Sequence, residues 1–282
     1  MAHPALTADS VAVVTGGAAG IGLAVATRFA RLGMRICIVD VNTERLTDAA
    51  NALKAAGAKE VMISQTDVGE LHGVQALCAA VNQRFGGTDI LVNNAGIQPG
   101  STMLGTDGNW QRILQVNLWG VIHGSQVFAP GMIERGRPGL IINTGSKQGI
   151  TTPPGDPAYN VAKSGVRTFT EALQHELRNT DGHRLSAHLF IPGFVFTELT
   201  RPGETQKPDG AWTADQTADF LINSIEQGDF YILCPDNDVP RALDELRIAW
   251  AAGDIVENRP PLSRWHPDHS DAFADYVRKN TR

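Results

Sequence analysis

The chain has 282 residues, 42% of them hydrophobic and 19% charged, which suits a soluble α/β protein with a full-sized core. Its formal net charge of −6 offers no general attraction to nucleic acid or to an anionic membrane. No apolar run reaches the ~20 residues that span a bilayer. The N-terminus lacks a basic region followed by a long apolar stretch, so no secretory leader is expected. Cys37, Cys78 and Cys234 fit neither a zinc motif nor a disulfide framework, and read as packed thiols of a cytoplasmic protein.

Short apolar, β-rich runs alternate with longer stretches of helical periodicity, which predicts a parallel sheet covered on both faces. About seven strands are predicted, at residues 10–15, 35–40, 60–65, 90–93, 139–143, 185–191 and 230–233. Helices are predicted at 21–32, 43–56, 71–85, 110–135 and 157–179, while 198–214 carries no readable pattern. No composition break divides residues 1–234, which read as one dinucleotide-binding and catalytic domain. Residues 235–282 read as a C-terminal extension packed on it, with a helix at 239–251 and an irregular tail. Trp265 and Pro260-Pro261 are the expected docking residues of that tail.

Between the first strand and helix runs Thr15-Gly16-Gly17-Ala18-Ala19-Gly20-Ile21-Gly22. A strand, a glycine-rich turn and a helix start form an anion site, with backbone N–H groups and the helix dipole facing a pyrophosphate. Asp40 ends the second strand, where a carboxylate accepts from both hydroxyls of an adenosine ribose and repels a 2′-phosphate. Its other reading is a cap for the helix that follows Asn42. Ala19 and Val41 are neutral where a 2′-phosphate calls for Arg or Lys, so NAD(H) is expected over NADP(H).

Tyr159 and Lys163 lie four residues apart, on one helical face. A free phenol, with a pKa near ~10, is a poor base at neutral pH, and an adjacent ammonium favours the phenolate. That pairing predicts a lowered Tyr159 pKa and proton-transfer chemistry beside a hydride carrier.

These residues resemble the short-chain dehydrogenase/reductase family in its common single-domain form, over roughly residues 8–234. Gly16, Ala18, Gly20, Ile21 and Gly22 match its cofactor turn, with Asp40 and Val41 beyond it. Asp67-Val68 matches its adenine-contacting pair, and Asn93-Asn94-Ala95-Gly96 its central-strand motif. Asn117, Ser146, Tyr159 and Lys163 match its catalytic four, and Pro192, Gly193, Val195 and Thr197 its nicotinamide-side segment.

The resemblance implies a Rossmann-type doubly wound sheet and an NAD(H)-dependent oxidoreductase that interconverts a secondary alcohol and its ketone. Tyr159 is then the general acid/base, Ser146 holds the substrate oxygen, and Lys163 binds the nicotinamide ribose and lowers the Tyr159 pKa. Asn117 positions a water through its main chain. A homodimer or homotetramer is implied, with a small-molecule substrate and no nucleic-acid or membrane partner. The alternatives are a catalytically silent nicotinamide-binding sensor or scaffold, and a 3-oxoacyl-thioester reductase, against which Asp40 speaks.

Thr144-Gly145-Ser146-Lys147 departs from the family's usual adjacent serines, although Ser146 keeps its thirteen-residue spacing to Tyr159. Lys147 reads either as an exposed loop lysine or as an anchor for an acidic substrate. By analogy with the family's loops, Gln98, Gln148, Phe194 and Trp212 are the substrate-facing candidates. Arg201 and Lys207 read as a lid or as surface charge. Two histidines and an aspartate in Arg264-Trp265-His266-Pro267-Asp268-His269 can ligate zinc in principle. The internal proline and the lack of supporting ligands argue against it, and no metal is expected.

Overall fold

A computed structural model of the chain describes residues 3–106, 108–182 and 184–281; the first two residues of the N-terminal stretch lie outside these. The core is set by seven strands, of which the central ones are buried on both sides while the edge strand Glu60–Gln65 is partly exposed. They are β1 (Val11–Thr15), β2 (Arg35–Asp40), β3 (Glu60–Gln65), β4 (Ile90–Asn93), β5 (Gly139–Thr144), β6 (Leu185–Ile191) and β7 (Tyr231–Leu233). They form one parallel sheet in the order β3-β2-β1-β4-β5-β6-β7. The order reverses between β1 and β4, and in such sheets ligands bind in the crevice at the carboxyl ends of the strands there.

The two faces divide β1 residue by residue, as a period of two requires. Ala12 and Val14 pack with Ile36, Ile38, Val92 and Ile142 beneath α1 (Gly20–Arg31), α2 (Thr43–Ala55) and α8 (Ala214–Gln227). Val11 and Val13 pack with Val39, Leu91 and Ile141 beneath α3 (Leu71–Phe85), α5 (Gly120–Glu134) and the end of α7 (Pro157–Arg178). Both faces are covered, so the strands read as continuous apolar runs.

Three elements differ from expectation. The predicted helix at 110–135 divides into α4 (Asn109–Leu114), one π-helical turn (Gln115–Trp119) and α5. Helix α8 lies where no helix was predicted. Its start is a capping box, in which Thr213 Oγ1 accepts from Gln216 N and Gln216 Oε1 accepts from Thr213 N.

The C-terminal segment is also more regular than expected. Helix α9 runs Arg241–Val256, two 3₁₀ turns follow, and α10 spans Ser270–Asn280. A short helix, α6 (Gln148–Thr151), lies beneath α9. Trp250 of α9 holds this segment together. Its Nε1 donates to Ser263 Oγ at 2.7 Å, and its ring meets Phe273 and Tyr276 at centroid distances of 5.3 and 5.2 Å. Trp265 is 37% exposed and stacks with Arg264, while Pro261 is exposed. A tryptophan inside a helix offers its neighbours a rigid edge, whereas Trp265 lies on an outward 3₁₀ turn. Among the described residues no helix is long and apolar enough to cross a membrane.

Candidate active site

The site begins at the turn after β1. Gly16 has φ +61°, a conformation that favours glycine, and a Cβ there would stand 2.9 Å from the Ala95 Cα. A Cβ on Gly22 would overlap the Gly16 carbonyl oxygen, so the third glycine lets α1 press against the turn. No side chain caps α1 and no acidic residue occupies its first turn, which leaves its N-terminal N–H groups free for an anion. Thr15 ties the turn to the β4 end: its hydroxyl donates to Val92 O and accepts from Asn94 N and Ala95 N at 2.9 and 3.1 Å. Thr15 opens the glycine motif, and nothing in the sequence marks it for this role.

Gly16, Asp40, Val41, Asp67, Val68, Ala95 and Gly96 line a groove of about 670 Å³ beside this turn. The N-cap of α2 is Asn42, whose Oδ1 accepts from Arg45 N, while Asp40 Oδ1 accepts from Asn42 N at 3.1 Å just ahead of it. An adjoining hollow is lined by Gly20, Ile21, Asn94 and Thr197, and also by Arg45, which sequence reasoning missed. Ala18 and Gly22 line none of this surface; Ala18 is buried in the core beneath it.

A pocket of about 290 Å³ continues from Gly96. Ser146 at the end of β5 meets Tyr159 and Lys163 of α7 there, with Pro192, Gly193, Val195 and Thr197 on the opposite wall. Gln98, Gln148 and Phe194 line the same pocket, joined by Leu199 and Thr200, which carried no signal in the sequence. Trp212 does not reach it. Its backbone pairs with Phe194 and Phe196, and its ring meets Phe220 edge-on at 5.8 Å against the core. A parallel bridge between Val195 and Trp212 fixes the backbone there, and the Trp212 ring packs inward on Phe220. Arg201 stacks over the Phe194 ring at 5.4 Å, whereas the Lys207 ammonium is taken by the carbonyls of Pro208 and Ala211.

Asn117 lies behind the pocket, fully buried in the π turn. Its Oδ1 accepts from Ile97 N and its Nδ2 donates to Ile97 O, both at 2.8 Å, so the side chain clamps the irregular loop that follows Gly96. Asn93, behind it, donates to Asn143 Oδ1 at 2.8 Å and braces β4 against β5.

The helical spacing brings Lys163 Nζ to 5.6 Å from the Tyr159 ring centroid. The electrostatics differ from expectation. Burial pushes the Tyr159 phenol up to about 12, and the hydrogen bond with Ser146 draws it only partly back. Burial also brings the Lys163 ammonium down to about 8. Removing both groups from water disfavours both charges, and this outweighs the benefit of their proximity. Lys147 is not an exposed loop lysine: it lines this pocket, and its ammonium lies between Asp236 and Asp244. Among the described residues no cluster of three His, Cys, Asp or Glu side chains is assembled to hold a metal ion.

The short chain dehydrogenase family model matches residues 10–208, a span that holds every one of these lining motifs. The chain belongs to the short-chain dehydrogenase family. A Mycobacterium tuberculosis protein described as an oxidoreductase, SadH, is 36% identical over 232 residues, 77% of this chain and 83% of its own. The 2-(R)-hydroxypropyl-CoM dehydrogenase of Xanthobacter autotrophicus is 33% identical, over 68% of this chain and 76% of its own. A short-chain dehydrogenase/reductase of Burkholderia phymatum, solved in complex with NAD, is 32% identical with a TM-score of 0.80, over 89% of this chain and 96% of that one.

Proposed function

We propose that the protein is an NAD(H)-dependent dehydrogenase/reductase that interconverts a secondary alcohol and its ketone, with Tyr159 as general acid/base. The observation that carries this proposal is the meeting of Ser146, Tyr159 and Lys163 in a pocket that shares Gly96 with the groove under Asp40. A dinucleotide suits the rest of that surface. The uncapped start of α1 takes the pyrophosphate, Asp40 the adenosine ribose, and Asp67 and Val68 the adenine side. Pro192, Gly193, Val195 and Thr197 take the nicotinamide side. The Burkholderia phymatum neighbour, solved with NAD, supports the choice of cofactor.

When bound, the nicotinamide carries the hydride. The Tyr159 hydroxyl gives its proton to a ketone oxygen in reduction and takes one from an alcohol in oxidation. The Ser146 hydroxyl donates to the same oxygen and stabilises the charge that develops on it. Lys163 supplies positive charge beside Tyr159, and its place in the pocket lining would let it bind the nicotinamide ribose. Asn117 acts through its main chain, since its side chain is committed to Ile97. Gln98, Gln148 and Phe194 make the substrate wall part polar and part aromatic.

The test is to titrate the purified protein with NADH and NADPH and then assay ketones and secondary alcohols by nicotinamide absorbance. Turnover with an NADH preference is the expected result. Tight NADH binding without turnover across a broad panel would favour a silent sensor, and binding of neither cofactor would overturn the proposal.

A further inference from the structure

Lys147 follows Ser146 directly and precedes α6. Its Nζ lies 3.0 Å from Asp236 Oδ2 and 2.6 Å from Asp244 Oδ2, and the three side chains are only 18%, 4% and 5% exposed. Each carboxylate belongs to a different stretch of chain. Asp236 follows β7 and is itself fully used: its Oδ2 also accepts from Phe194 N at 3.1 Å, and its Oδ1 accepts from Val239 N at 2.8 Å. Asp244 stands in the first turn of α9. A Cβ on Gly193 would come within 2.6 Å of Asp236 Oδ2 and 3.0 Å of Lys147 Nζ, so the ion pair packs directly behind the Pro192–Phe194 wall. One ammonium thus joins the serine loop, the nicotinamide-side wall and the C-terminal helix.

Burying such charges costs solvation that their attraction roughly offsets, so net stability is a poor account of this arrangement. Geometry is a better one. Ser146 and Lys147 share a peptide unit, and Ser146 Oγ accepts from Gln148 N at 3.2 Å, so the serine hydroxyl and the backbone of Lys147 belong to one short turn. We infer that Lys147, held between Asp236 and Asp244, is a positioning residue that sets the Ser146 loop and the Phe194 wall from helix α9, an inference that rests on the function proposed above. The C-terminal helix is in this way part of the support of the active site.

The test compares Asp244→Asn, Lys147→Met, the double variant and Arg241→Ala, whose exposed pair with Glu245 lies on the outer side of the same helix. Hydrogen–deuterium exchange of the cofactor-free proteins is read first. Faster exchange confined to residues 145–152 and 192–197 in the Asp244 and Lys147 variants is expected. Unchanged exchange there, or loosening spread over the whole sheet, overturns the inference. Kinetics follow: kcat is expected to fall on the order of 10- to 100-fold, with the NADH Kd changed less than about twofold. The double variant is expected to be no slower than Lys147→Met, since both remove one link, and Arg241→Ala to match the wild type. A full kcat in folded Asp244→Asn and Lys147→Met overturns the inference. Should the wild type prove inactive, the proposed function fails, yet exchange still decides whether Lys147 holds the two segments.

Discussion

The Lys163 ammonium donates to the carbonyl oxygen of Thr144 at 2.8 Å, so the lysine one helical turn from Tyr159 is anchored on the last residue of β5. Helix α7 and strand β5 are thereby tied at the point where Ser146 leaves the sheet. The charge is buried to achieve this, which lowers the Lys163 pKa to about 8.

That shift has a definite pH signature. Between about 8 and the ordinary value of 10.5, the unfolded chain keeps the Lys163 proton and the folded one has released it. The unfolded state then binds more protons, so the Lys163 contribution to stability rises with pH through that window and is lost as pH falls through about 8. Tyr159, raised to about 12, acts in the opposite sense only above its ordinary value of 10. Urea denaturation at pH 7.5 and 9.5 should show the wild type gaining on the order of 2 kcal/mol relative to Lys163→Met. Parallel stability curves would contradict the assignment.

Tyr159→Phe removes the proton donor and leaves the groove residues untouched. Turnover is expected to fall by about 10³-fold, within the range for loss of general acid–base catalysis, while NADH binding is retained. Steady-state kinetics and NADH fluorescence titration measure the two separately. Loss of cofactor affinity in parallel with activity would make Tyr159 chiefly structural.

Asp40→Ala removes both the ribose acceptor and the repulsive charge. Arg45, which lines the same hollow, would then face a 2′-phosphate without a competing carboxylate. The ratio of NADH to NADPH affinity should drop by about tenfold or more, equivalent to about 1.4 kcal/mol. An unchanged ratio would remove Asp40 from cofactor choice.

Gly22→Ala tests the turn itself. The added methyl would meet the Gly16 carbonyl and stand 2.7 Å from Asn94 Nδ2, so the turn or α1 must shift. A stability loss of about 1–3 kcal/mol is expected from such overpacking, by thermal denaturation. Affinity for NADH and NADPH should weaken alike, in contrast to Asp40→Ala. Wild-type affinity for both would show that the glycine serves helix packing alone.

Much of this protein is legible in short stretches of sequence. The strands announce themselves because both of their faces are covered, and Tyr159 and Lys163 because a helix repeats every 3.6 residues. The start of α8 was also written locally, in the Thr213–Gln216 capping box, but the irregular run before it hid the helix. Trp212 misled because an aromatic near a pocket loop reads the same whether it faces the pocket or Phe220. The π turn at Asn117 left no trace in the apolar periodicity on either side of it.

By itself the sequence determined the alternation of strand and helix, the glycine turn, the acidic end of β2 and the Tyr–Lys helical face. All of these depend on neighbours a few residues apart. Only the tertiary structure decided that Lys147 is held by Asp236, 89 residues away, and by Asp244 of the C-terminal helix. It alone decided that Trp250 anchors the C-terminal segment and that burial, more than proximity, sets the protonation of Tyr159 and Lys163. Ion pairs and solvation depend on which distant surfaces close over a group, and that is settled only when the whole chain has packed.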